Sequence, residues 1–282
     1  MGMSRLEKIE SIEIPYKNTI LKIPSFEGAI ENEGRLSKIW VMDVKEHRQY
    51  LIKASGFYGY EPISEKLAYI IGSHIGFDVL KYDVIDAKYL KGILKVIPSC
   101  KYLSICERLD INGMSISCIR DIKNARNIGR PEGDKLLNRT VMMEILDKKY
   151  LDKLLIFDAI IGNMDRHYGN IHVLMHPDGR ITGAPFMDNG ASCLASHLTI
   201  ETMVVNKKSS RVFDRSCTLE KKHRLQTANI ESHIFKNIDV TKKILEIDGA
   251  MQDTLALLPK LRAKTVERYL IDRLYKYLTM FQ

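Results

Sequence analysis

Asp165, Asn170 and Asp188 follow one another at intervals of 5 and 18 residues, within Asn163-Met164-Asp165-Arg166-His167-Tyr168-Gly169-Asn170 and Phe186-Met187-Asp188-Asn189-Gly190. Phosphoryl transfer from ATP requires such a set: one carboxylate beside the attacking hydroxyl, and an amide and a second carboxylate on Mg²⁺. Mg²⁺ takes a few hard oxygen ligands and completes its shell with phosphate oxygens and water, so Asp and Asn on loops suit it. Taken apart, each half reads equally well as a polar loop or hairpin tip with no chemistry. Their combination, in this order, carries the functional reading.

The flanking elements are arranged to position these side chains. Tyr150, Leu151, Leu154, Leu155, Phe157 and Ile161 recur at helical spacing, predicting a helix over 149–161. Gly162 stands where a helix C-cap glycine belongs. Residues 171–175 read as a strand, Pro177-Asp178-Gly179 as a turn, and 180–187 as the returning strand that brings Asp188 beside Asn170. Upstream, the strand Tyr50-Leu51-Ile52-Lys53 ends in a lysine. Glu65 opens a helix that runs to about Ile75 and stops at Gly76. Residues 12–23, 38–42, 48–53, 79–87 and 92–97 are strand candidates. Residues 98–107 read as the hinge between two bodies, and 110–134 as irregular. The last helix presents Val266, Tyr269, Leu270, Leu274, Tyr277, Leu278 and Phe281 along one face.

With these residues in view, the chain resembles the HipA-type bacterial serine/threonine kinases, part of the protein-kinase-like and phosphoinositide-kinase-like superfamily. The resemblance rests on Asn-x-Asp-Arg-His-x-x-Asn at 163–170 and the strand-borne Asp188, and covers most of residues 30–200. It implies an α+β, two-lobed protein-kinase-like fold. The N-lobe, residues 1–100, would be an antiparallel sheet with one helix; the C-lobe, residues 101–282, would be mainly helical. It implies Asp165 as the catalytic carboxylate, with Arg166 and His167 in the same loop positioning it or touching phosphate. Arg166 could instead brace the loop through a bidentate carboxylate contact. Asn170 and Asp188 would hold Mg²⁺, although Asp188-Asn189-Gly190 lacks the Phe of the kinase Asp-Phe-Gly motif. Lys53 would hold the ATP phosphates and pair with Glu65; Lys45, in the charged stretch 43–48, is the rival lysine.

Glu33-Gly34-Arg35-Leu36-Ser37-Lys38 lies where the resemblance expects a phosphate loop. Gly34, Arg35 and Ser37 are its candidates for nucleotide contact, through backbone N–H groups that could cradle phosphate, and an ordinary charged hairpin turn accounts for the stretch equally well. Ser37 is also the autophosphorylation candidate that the resemblance implies. The acceptor it favours is a Ser or Thr hydroxyl of a protein. A lipid or small-molecule acceptor stays open, as do a nucleotide-binding pseudokinase and a toxin with an antitoxin-like partner.

The bulk composition bounds these readings. The chain has 282 residues, 45% of them hydrophobic, a span suited to one large domain or two lobes around a cleft. It holds no apolar run near the roughly 20 residues of a membrane helix, and its first residues carry no apolar signal segment. The five cysteines form no C-x-x-C pair, and their odd number speaks against a disulfide framework or a zinc site. A bacterial cytoplasmic location is expected, with secretion as an effector left open. The net charge is +8, and between Ala195 and Gln282 there are 16 Lys and Arg against 10 Asp and Glu. The basic stretches 206–211 and 220–224 fit contact with a protein substrate or phosphate; without aromatic interleaving, direct nucleic-acid binding is not expected.

Overall fold

The computed structural model describes residues 12–24, 30–31, 36–56, 58–94, 97, 100–109, 111–128, 139–196, 230 and 234–282. Gly34 and Arg35, and the basic stretches 206–211 and 220–224, lie outside them.

The N-terminal body is a seven-stranded antiparallel sheet. The span 12–23, expected as one strand, is a hairpin: β1 (Glu13–Tyr16) and β2 (Thr19–Lys22) flank a turn at Lys17, whose φ is 52°. There follow β3 (Ile30–Glu31), β4 (Lys38–Asp43) and β5 (Gln49–Lys53). Strand β4 alternates buried and half-buried residues, the period of a sheet with one face on a core. Asp43 caps the β4–β5 turn by accepting from the backbone N–H of Lys45 and Glu46 at 2.8 and 3.2 Å. Lys45 therefore stands on the turn, far from the role Lys53 occupies.

Helix α1 (Glu61–His74) begins one turn earlier than expected, with Pro62 in its first turn, so Glu65 sits within the helix rather than at its start. The sheet is completed by β6 (Tyr82–Asp86) and β7 (Tyr102–Glu107). Strand β7 corrects two expectations. It is no hinge but an inner strand, pairing with β5 at Lys53↔Ser104 and with β6 at Val84↔Ser104. Residues 92–97, expected as a strand, contribute only a bridge between Lys91 and Leu94 among the described residues. The sheet thus runs through Glu107, seven residues past the expected boundary at 100, and the chain leaves it at Arg108.

Residues 110–134 are less irregular than expected, since β8 (Ser115–Cys118) and the short helix α2 (Ile119–Ala125) lie there. After α3 (Arg139–Met143) comes the buried helix α4 (Lys148–Ile161). Its N-cap Asp147 accepts from Tyr150 N–H, and Gly162 closes it in the left-handed conformation at φ 64°. Strands β9 (His172–Met175) and β10 (Ile181–Gly183) form a three-stranded sheet with β8. Strand β10 is shorter than the expected 180–187. Beyond it Ala184 O accepts from Tyr150 OH at 2.8 Å, and Phe186 exchanges backbone bonds with the 78–80 segment instead of β9. Helices α5 (Val240–Leu255) and α6 (Lys260–Met280) end the chain. None of the helices among the described residues is long and apolar enough to cross a membrane.

Two main cores result. The sheet encloses Ile14, Leu21, Ile39, Val41, Ile52, Leu103 and Ile105. The larger core joins α4, α5 and α6, and it also takes Ile63, Leu67, Ala68 and Ile71 of α1. A small third cluster, Tyr82, Cys106, Ala184 and Met187, connects the two bodies under the cleft.

Helix α1 approaches α4 closely because position 72 has no side chain. A Cβ there would stand 2.2 Å from Val79 Cγ2 and 3.0 Å from Phe157 Cε2. Ala favours an exposed helix over Gly by about 1 kcal/mol, but overpacking here outweighs that. Gly72→Ala should therefore lose about 1–3 kcal/mol of stability in urea denaturation; a gain would show that the α1–α4 packing is looser than described.

Candidate active site

The cleft between the two bodies collects most of the residues singled out by their spacing. Leu36, Lys53, Glu65, Asp165, Asn170, Asp188 and Gly190 line its polar end. This end adjoins a cavity of about 560 Å³ walled by Trp40, Leu51, Leu80, Cys106, Ile111 and Met187. Lys38, Lys53 and Asp188 belong to both. The arrangement offers an apolar slot for a flat ring and a polar end for charge.

The loop 163–170 follows from its surroundings. Asp165 is exposed at the cleft surface, and its N–H donates to Asn163 Oδ1 at 3.0 Å. Asn170 donates its amide to Asp165 O at 2.9 Å. This bond holds the Asn170 side chain where it lines the cleft end and leaves its amide oxygen unused by that bond. His167 is exposed and accepts from Gly169 N–H through Nδ1 at 3.1 Å, capping the 3₁₀ turn Tyr168–Asn170. His167 thus shapes the loop by that bond.

Arg166 does not face the cleft. Its side chain and that of Asp158 on α4 are each 1% exposed and form an ion pair. Nε donates to Asp158 at 3.0 Å, and Nη2 donates to Asp158 Oδ1 at 3.0 Å and to Asn189 Oδ1 at 2.7 Å. Nη1 donates to Asn170 O at 2.7 Å and Met187 O at 2.8 Å. All five guanidinium N–H groups are used. Of the two roles open to Arg166, the bracing contact is the one the geometry forms, and phosphate contact is not. Burial opposes its charge, yet Asp158 outweighs this and holds the guanidinium above its ordinary pKa.

The expected Lys53–Glu65 ion pair does not form. Lys53 Nζ lies instead 2.6 Å from Asp188 Oδ1 and donates to Tyr82 OH at 2.8 Å. Glu65 Oε2 accepts the backbone N–H of Asn189 at 2.9 Å. Glu65 therefore holds the backbone one residue past Asp188, while Lys53 holds its carboxylate. Burial pushes the Glu65 carboxyl up to about 7, with Lys53 pulling the other way. Burial would also raise Asp188, but the neighbouring Lys53 ammonium prevails and holds it well below the usual carboxylate range. Asp188 adopts φ 56°, a left-handed conformation that Asp tolerates better than most residues.

Ser37 is buried and its carbonyl accepts Ala54 N–H at 2.9 Å, tying the start of β4 to the end of β5. Sequence reasoning missed Tyr82, Asn189, Asp158 and His172. Only Asp158 left a signal: one carboxylate inside the apolar run Leu154-Leu155-Ile156-Phe157-Asp158-Ala159-Ile160 implies a buried, paired charge. His172 lines the cavity with Nδ1 3.9 Å from Asp188 Oδ2, and burial lowers its pKa. Burial pushes the Cys106 thiol up to about 11, which makes it an inert wall.

A cofactor fit follows from the donor set. Among the described residues there is no cluster of three His, Cys, Asp or Glu side chains able to hold a metal by itself. One carboxylate and one amide, Asp188 and Asn170, suit a hard cation that brings phosphate oxygens and water with it.

Comparison with solved structures agrees with the architecture. The chain is similar to the Helicobacter pylori proinflammatory kinase CtkA, with a TM-score of 0.52 and 15% sequence identity over 86% of this chain and 94% of that one. At that identity the likeness establishes a two-lobed, kinase-like α+β fold. No protein-family model and no curated protein matches the sequence.

Two measurements test the site. In Arg166→Lys one ammonium replaces a five-donor fork, leaving Asp158 and two loop carbonyls short of partners. Stability should fall by about 3–5 kcal/mol in chemical denaturation, and a loss below 1 kcal/mol would show the fork to be dispensable. The second concerns pH. The folded pKa of Glu65, about 7, lies above its ordinary value of 4.5, so between those values the folded chain binds more protons than the unfolded one. Its stability contribution is therefore greatest below pH 4.5 and is lost as pH rises toward 7, by up to about 3 kcal/mol. Glu65→Gln removes that loss. Measured by denaturation at pH 5 and pH 8, the variant should gain on the wild type at the higher pH; an unchanged difference would refute the assignment.

Proposed function

We propose that the chain is an ATP- and Mg²⁺-dependent kinase that transfers the γ-phosphate to a Ser or Thr hydroxyl of a protein, in the manner of the HipA-type kinases. The observation that carries this reading is the convergence of Lys53, Asp165, Asn170 and Asp188 on one polar cleft end that opens into an apolar slot. The kinase-like fold supports it, as does the Asn-x-Asp-Arg-His-x-x-Asn motif.

The apolar cavity takes the base between β5, β7 and Met187, and the chain leaving β7 at Arg108–Leu109 lines its mouth. Lys53 turns from Asp188 to the phosphates, a movement within reach of one flexible side chain. Asn170 and Asp188 would hold Mg²⁺, which would supply positive charge against the phosphates. Asp165, exposed at the end of the cleft, orients the acceptor hydroxyl and takes its proton as the oxygen bonds to phosphorus and the bond to ADP breaks. Arg166 contributes from behind, holding the segments of Asp165, Asn170 and Asp188 in register.

Purified protein incubated with γ-labelled ATP and Mg²⁺ should become labelled or should label an added acceptor. Asp165→Ala should slow transfer by about 10²–10⁴-fold with nucleotide binding retained. Asp188→Ala should abolish transfer and weaken Mg²⁺-dependent binding. Nucleotide binding without transfer to any hydroxyl would favour a pseudokinase, and absence of nucleotide binding would end the kinase reading.

A further inference from the structure

A second cavity of about 560 Å³ lies at the start of helix α1, and among the described residues it shares no lining residue with the nucleotide cleft. Its walls come from three places: the start of α1, the start of β7, and the turn between α5 and α6. Tyr58, Tyr60, Tyr102, Ile63, Leu257 and Leu258 provide aromatic and aliphatic surface. Lys101 is exposed at its edge and forms no ion pair with any described carboxylate, and no acidic side chain is among the described residues of the wall. The volume falls within the range of small-molecule sites. The tyrosine rings, the Lys101 ammonium at the edge and a lining that presents more polar than apolar surface suit an aromatic body that carries negative charge and hydrogen-bonding groups.

The cavity is joined to the active site by short contacts. The Arg262 guanidinium stacks 3.8 Å from the Tyr60 ring centroid and donates to Leu194 O at 3.4 Å. Leu194 and its neighbour Cys193 are left-handed, at φ 62° and 51°, a conformation that non-glycine residues hold only when their surroundings impose it. Ile63 lines the cavity, and the next two residues of α1 grip the same loop. Ser64 Oγ donates to Ser192 O at 3.0 Å, and Glu65 accepts from Asn189 N–H. Tyr60, Arg262 and α1 thus connect the cavity wall to the segment that begins with Asp188.

We propose that this cavity binds a small aromatic anion with hydrogen-bonding groups, and that its occupancy alters the nucleotide site through Tyr60, Arg262 and the Asn189–Leu194 loop. The binding half stands on the cavity alone; the coupling half rests on the kinase reading.

The probe is 8-anilinonaphthalene-1-sulfonate, an aromatic anion whose fluorescence rises in apolar surroundings. It is titrated into the folded chain with saturating Mg²⁺-ATP, which removes dye from the nucleotide cleft. A saturable component should survive the nucleotide. Lys101→Glu should weaken it about tenfold or more, and Leu257→Trp, which fills the cavity, should abolish it. Thermal melting confirms that both variants are folded, and the exposed Lys101 substitution serves if the Trp variant is not. Absence of a saturable component, or one indifferent to both substitutions, overturns the site. If the sites are coupled, saturating dye should change the dissociation constant of ATP about twofold or more beyond the change it causes in Leu257→Trp, whose filled cavity leaves only competition in the cleft. An equal change in both proteins overturns the coupling. Failure to bind ATP at all would sink the kinase reading while the dye result on the variants still decides the cavity.

Discussion

The Arg166–Asp158 pair is the constraint on which the rest of the cleft depends. Two buried charges are costly unless their geometry is good and their remaining hydrogen-bonding groups are satisfied. Here both conditions hold, because the planar guanidinium has a partner for every N–H. The partners come from helix α4, the end of the 163–170 loop, the end of the β9–β10 region and the loop after Asp188. Helix α4, the catalytic-loop end at Asn170 and the stretch Met187–Asn189 are thereby held at fixed spacing by one side chain. Lysine, with a single point of charge, cannot substitute for such a fork.

Around that anchor the charges in the cleft are divided by burial. Lys53 and Glu65 are both buried, yet each is engaged elsewhere: Lys53 with Asp188 and Tyr82, Glu65 with a backbone amide. The Tyr82 hydroxyl and ring give the ammonium a second resting contact, with Nζ 5.1 Å from the ring centroid. Of Glu65 and Asp188, Glu65 keeps its proton more readily and Asp188 loses it more readily. This is the order expected when one carboxyl lacks a direct cation and the other has one at 2.6 Å.

The residues that meet in the cleft were more legible in the sequence than the scaffold around them. Asp165, Asn170 and Asp188 stand out because they are oxygen-bearing side chains set at short intervals between apolar runs, on segments that local pattern marks as loop and strand end. Helix α4 and its glycine cap were legible for the same local reasons. Strand β7 was not: Tyr102-Leu103-Ser104-Ile105-Cys106-Glu107 is buried along most of its length, so it lacks the alternation that marks a half-exposed strand. The apolar stretch at 92–97 imitated a strand better. The partners of Lys53 were hidden because Tyr82 and Asp188 lie 29 and 135 residues away, and no local pattern encodes such distances. For Lys53 and Glu65 the expected pairing with each other failed because their partners are remote: Asp188 and Tyr82 take the ammonium, and the Asn189 backbone amide takes the carboxyl.

Helix α1 is shared between the two bodies. Ile63, Leu67, Ala68 and Ile71 are sunk in the larger core, while Ser64 and Glu65 hold the loop after Asp188. Withdrawing Ile63, Leu67 and Ile71 costs about 1.5–3 kcal/mol each, a sum that is a large part of the stability of an ordinary domain. The helix is a keystone rather than a lever. Swinging it outward would cost a large part of that stability, so the loop after Asp188 takes its position from a helix that the larger core holds in place.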